Sequence, residues 1–107
     1  MAQINLEHLL DMCGEKYEPE YLFRQTAEEM CEFAQAALKV IRAFNHETPM
    51  PELEAIDKYI EEMADAKIML DLSIADLTFD GKKRFERIYS EKLERFWNRL
   101  EGLDETP

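Results

Sequence analysis

The stretch from Leu22 to Phe44 reads LFRQTAEEMCEFAQAALKVIRAF, and the spacing of its apolar members decides the fold. Leu22, Phe23, Ala27, Met30, Phe33, Ala34, Ala37, Leu38, Ile41 and Phe44 recur at steps of three and four residues, the period of an amphipathic helix. Pro19 suits a first helical turn, so a long helix is predicted over 19–45. The segment His46 to Pro51, with Thr48-Pro49 and Met50-Pro51, breaks the pattern. Leu53, Ile56, Ile60, Met63, Ala64, Ile68, Met69, Leu72 and Ile74 then restore it over 52–76. Thr78-Phe79-Asp80-Gly81 reads as a turn with Asp80 as N-cap of a last helix over 81–101. That helix carries Phe85, Ile88, Tyr89, Leu93, Phe96, Trp97 and Leu100, and Gly102 ends it. Upstream, Asn5 can cap a short helix through Met12, stopped by Gly14. No alternating strand pattern or tandem repeat interrupts this order. The expected fold is all-α, an antiparallel helical bundle of three substantial helices plus a short N-terminal one. At 107 residues it is expected to be one domain spanning 1–107, its modest core completed by oligomerisation.

Charge falls on the stripes that should face inward. Glu29-Met30-Cys31-Glu32 and Glu62-Met63-Ala64-Asp65 each place two carboxylates three residues apart, on one side of a helix. In the first long helix the walk Leu22, Gln25, Glu29, Glu32, Ala36, Lys39 mixes apolar and acidic positions; in the second, Lys58, Glu62, Asp65, Met69, Leu72 does the same. One such pair is explained by the solvated face of any helix in an acidic chain, and Glu28, Glu54 and Glu61 fit that description. Two pairs on largely apolar stripes of consecutive antiparallel helices need a cation, because unpaired buried carboxylates are strongly disfavoured. All-oxygen ligation without His or Cys points to magnesium or manganese rather than zinc.

The balance of 24 acidic against 13 basic residues, net −11, opposes binding to a nucleic-acid polymer or an anionic membrane. Cys13 and Cys31 have neither CxxC nor zinc spacing and read as free thiols in a cytoplasmic protein. His8 and His46 lack partners at catalytic spacing. No stretch reaches membrane-spanning length, and the N-terminus lacks the pattern of a secretory signal.

The stretch Glu28-Glu29-Met30-Cys31-Glu32-Phe33-Ala34-Gln35-Ala36-Ala37-Leu38-Lys39, a linker, and Ile60-Glu61-Glu62-Met63-Ala64-Asp65-Ala66-Lys67-Ile68-Met69-Leu70 together resemble the ExxE and ExxD signature of the MazG-like all-α nucleotide pyrophosphohydrolases. The resemblance covers residues 21–72 and includes the paired glutamate before each motif. It implies a helical bundle, dimeric or tetrameric, that binds magnesium through Glu29, Glu32, Glu62 and Asp65. It also implies cleavage of a nucleoside triphosphate between the α- and β-phosphates, to a monophosphate and pyrophosphate. The chemistry suits the residues, since carboxylate-held metal neutralises a phosphate chain and activates water.

Phosphate binding also calls for protein cations. Lys39 lies on the stripe of Glu32, seven residues on, and Arg42 follows one turn later. In the last helix Lys92 and Arg99 stand where relatives place phosphate-binding residues, although a solvated helix face gives the same spacing. Lys58 reads as a solvated side chain or a helix salt bridge. Tyr17, Tyr21 and Phe23 precede the first motif, where some relatives hold the base. Two rivals remain: a phosphoribosyl-ATP pyrophosphohydrolase-like enzyme, disfavoured by Ala66-Lys67-Ile68-Met69-Leu70 after Asp65, and a non-catalytic oligomeric helical interaction protein.

Overall fold

A computed structural model describes residues 3–102. It consists of four helices, α1 (Leu6–Lys16), α2 (Tyr21–Phe44), α3 (Glu52–Ala75) and α4 (Phe79–Leu100), with no strand among the described residues. The chain forms two compact units, one ending at Asp76 and one beginning at Leu77.

In the first unit α2 and α3 run antiparallel. Thr26 Oγ1 lies 3.1 Å from Ser73 Oγ, and the Phe33 and Tyr59 rings stack with centroids 5.1 Å apart, so advancing along α2 means retreating along α3. The reversal begins with a Schellman motif at the end of α2. The His46 amide donates to Ala43 O at 3.2 Å and the Glu47 amide to Arg42 O at 2.8 Å. His46 takes the left-handed position of that motif, with φ 56°, where glycine is usual. Pro51, extended at ψ 146°, then starts α3 by accepting from the Ala55 amide.

α1 packs against α3. Asn5 caps it as expected, its Oδ1 accepting from the His8 amide at 3.1 Å. The expected stop at Gly14 is wrong: α1 continues to Lys16, and the Tyr17 amide closes its last turn on Cys13 O. A glycine inside a helix costs only about 1 kcal/mol relative to alanine, less than is lost by breaking the turn.

The seam between α2 and α3 differs from the expected apolar series. On α2 it carries Leu22, Thr26, Glu29, Phe33, Ala36, Val40 and Ala43; on α3 it carries Ala55, Tyr59, Glu62, Ala66, Met69 and Ser73. Both sets step by four and three, a seven-residue repeat. Ala36, Ala43, Ala55 and Ala66 are buried, and these small side chains let the two backbones approach. Phe23, Ala27, Ala34, Ile41 and Phe44 form a second seven-residue stripe on α2, one residue out of phase with the seam, and are exposed. Leu53, Ile60, Met63 and Leu70 do the same on α3, and Phe23 and Leu53 are 78% and 77% exposed. At about 100° per residue on antiparallel helices, both second stripes turn to one side of the hairpin, and Glu32, Lys58 and Asp65 turn to the other.

The second unit is built on α4. Its N-cap is Thr78 rather than the expected Asp80: the threonine backbone is extended, and its Oγ1 accepts from the Gly81 amide at 3.0 Å. Asp80 instead sits in the first turn, where a negative charge meets the helix dipole. Gly102, at φ 77°, follows the helix as expected, its amide donating to Arg99 O. No residue of α4 is buried, so its apolar series forms no core among the described residues.

Candidate metal centre

The seven-residue repeat that builds the seam also puts Glu29 and Glu62 on it, at positions an apolar core would fill. Glu62 is buried, with 10% of its side chain exposed, and Glu29 is half-buried. Glu32, three residues past Glu29, stands at the exposed edge. One oxygen from each of Glu29, Glu32 and Glu62 lies within 4.8 Å of the others. Three of the four expected ligands therefore converge. Asp65 is exposed on the same side of the hairpin but does not join the three carboxylates; its charge still acts on Glu32.

Partners fix two of the carboxylates from one oxygen each. Gln25 Nε2 donates to Glu29 Oε1 at 2.8 Å, one helical turn away. Lys58 Nζ lies 3.1 Å from Glu62 Oε1 and 3.8 Å from Glu61 Oε2. The remaining oxygens, Glu29 Oε2 and Glu62 Oε2, are buried without a hydrogen-bond partner. A buried acceptor left unsatisfied costs about 1–3 kcal/mol, more when it is charged, so the arrangement is incomplete from the protein alone.

Electrostatics report the crowding. The charge of Glu29, followed by desolvation and the nearby Glu62 and Asp65, pushes the Glu32 carboxyl above the usual carboxylate range. The hydrogen bond and charge of Glu62, with Glu61 beside it, push the Lys58 ammonium upward and hold it protonated. Glutamate oxygens, orphaned lone pairs and excess negative charge suit a hard divalent cation and give no soft ligand for zinc.

The expected phosphate-binding residues are less organised. Lys39 and Arg42 are exposed on α2. Lys92 and Arg99 belong to the second unit, where the Arg99 guanidinium lies 6.0 Å from the centre of the Phe96 ring. Lys58 is the helix salt bridge that its spacing allowed. Gln25 is a further member of the site, and its i, i+4 spacing to Glu29 is the sequence signal for it. Tyr17 and Tyr21 stack with centroids 4.0 Å apart beside Cys13 in an open cavity, whereas Phe23 lies on the exposed apolar stripe. Cys13 and Cys31 are free thiols. No helix among the described residues is long and apolar enough to cross a membrane. No family model, no curated protein and no solved structure matches the chain.

Proposed function

We propose that this chain is a magnesium-dependent nucleoside triphosphate pyrophosphohydrolase of MazG-like type, acting in the cytoplasm, where Cys13 and Cys31 stay reduced. The observation that carries the reading is the convergence of Glu29, Glu32 and Glu62, two of which each have a buried oxygen that lacks a hydrogen-bond partner. These three, with Asp65 turning in from its exposed position, would hold magnesium or manganese. Such an ion supplies Lewis-acid neutralisation of the phosphate chain and a lowered pKa for water. Gln25 orients Glu29, and the packed seam fixes Glu62, so these two ligands are set before substrate arrives. Lys39 and Arg42 would draw in the triphosphate, which the net charge of −11 otherwise repels. Water adds across the anhydride between the α- and β-phosphates, giving a nucleoside monophosphate and pyrophosphate.

The working form is a homodimer or homotetramer that completes the bundle. Its support is the second stripe: the exposed parts of Phe23, Ile41, Phe44, Leu53, Ile60, Met63 and Leu70 come to roughly 800 Å², taking about 200 Å² for each whole residue. A standard interface takes about 800 Å² from each partner. Because the acids lie on the other side of the hairpin, association by this stripe leaves the site open.

Pyrophosphate release from canonical and modified triphosphates, with Mg²⁺ or Mn²⁺, tests the reading. Glu62→Gln and Asp65→Asn should each abolish release while the helical circular dichroism persists. Silence of the native chain on every substrate sinks the enzyme. The reading as a non-catalytic helical oligomer would then stand, favoured by the ion pair through which Lys58 already compensates Glu62.

A further inference from the structure

Lys58 sits one turn before Glu62 on α3, and that order is the weaker one for a helical ion pair, since glutamate preceding lysine is favoured. Helix energetics therefore favour the contact only weakly. A further cause lies in Glu62, whose side chain is nine-tenths buried: Oε1 lies 3.1 Å from the Lys58 ammonium, and Oε2 is buried without a hydrogen-bond partner. The lysine itself is bound loosely. Its side chain is 55% exposed, and its ammonium also reaches Glu61 Oε2 at 3.8 Å, on a carboxylate that is itself largely in water. Moving from Glu62 to Glu61 or to solvent would break one ion pair and no packing.

We infer that Lys58 is the resident counter-ion of this centre: it compensates Glu62 while no metal is bound and opposes entry of a divalent cation until that cation displaces it. The inference rests on the metal-site reading above. It follows from two cations claiming one buried carboxylate, of which one is tethered and present at all times. The tethered ammonium offsets part of the negative charge of the acidic seam in the metal-free chain. It also raises the metal concentration at which the centre fills, so that loading is a switch between two cations on the same carboxylate.

Calorimetric titration of the EDTA-stripped chain with Mn²⁺ alone tests this, with Lys58→Met, Lys58→Arg and Lys67→Met in parallel. Lys67 is the control for bulk charge: it lies on the same helix, but its partner at 2.7 Å is Asp71, away from the three glutamates. Lys58→Met should bind Mn²⁺ roughly fivefold or more tightly than the native chain, a competing charge having been removed at contact distance. Lys58→Arg and Lys67→Met should bind as the native chain does. Thermal unfolding supplies the second readout: Lys58→Met should melt below the native chain in EDTA and level with it in saturating Mn²⁺. Equal or weaker Mn²⁺ binding by Lys58→Met overturns the role of Lys58 and leaves the metal centre standing, as does an equal gain in Lys67→Met. Absence of Mn²⁺ binding in both the native chain and Lys58→Met overturns the centre itself.

Discussion

Replacing Glu62 with methionine separates the cost of the buried carboxylate from its use. Methionine is close to glutamate in volume, unbranched, and able to fill the seam beside Ala66 and Met69. In the metal-free chain the substitution removes a charge whose Oε2 is buried without a partner, and relieves the repulsion that Glu62 shares with Glu29 and Glu32. The orphaned acceptor alone is worth about 1–3 kcal/mol. Loss of the Lys58 pair offsets only part of that gain, because the lysine is half in solvent and stays hydrated when released. Glu62→Met should therefore stabilise the metal-free fold by about 1–2 kcal/mol, in line with the gains seen when buried ion pairs give way to apolar packing. For a domain of this size that is a rise in Tm of roughly 4–15 °C. Magnesium should reverse the ranking. The native chain gains about 2.7 kcal/mol at a hundredfold excess over Kd, whereas the variant gains nothing. Thermal unfolding followed by circular dichroism, at one protein concentration in EDTA and in magnesium, reads both effects. A variant less stable than the native chain in EDTA, or one that keeps the magnesium shift, would refute the reasoning.

His46→Gly should stabilise the first unit by about 0.5–1 kcal/mol by relieving the left-handed residue of the Schellman motif, as read by denaturant titration. Glu32 sets a pH dependence. Its carboxyl titrates higher in the folded chain than in the unfolded one, so the folded state binds more protons through that interval. That contribution to stability is complete below the ordinary glutamate range and is lost as pH rises through the raised value. Unfolding at a series of pH values should show the decline in EDTA, and Glu32→Gln should flatten it. Ile60→Glu puts a charge in the middle of the second stripe while leaving the seam and the acids untouched. If the chain associates by this stripe as proposed, light scattering should show a smaller species than the native chain gives, and an unchanged mass would remove the stripe from the interface.

Local chemistry was legible in the sequence wherever a helix and its ends are decided by neighbours. The apolar period over 22–44 and 53–74, the Asn5 cap and the Gly102 stop all act within one or two turns. The errors came where two local solutions compete. Thr78 and Asp80 could each cap α4, and only the extended backbone at Thr78 chose between them. Gly14 could end a helix or lie within one, and α1 continues through it.

The larger ambiguity was the direction of each helix. Both α2 and α3 carry two seven-residue stripes one position out of phase, and periodicity weights the larger side chains of the Phe23 and Leu53 stripes more heavily. Packing took the other pair, because alanines at 36, 43, 55 and 66 allow an approach that phenylalanine and leucine at the same positions would block. That choice fixed the site. The sequence by itself determined that four acids lie in two helical pairs on partly apolar stripes. Only the tertiary structure decided that Glu29, Glu32 and Glu62 converge while Asp65 stays at the edge, and that Lys58 already holds the most buried carboxylate. Spacing along one helix sets which side chains share a face, but the distance across two helices depends on their register and on the size of the side chains between them.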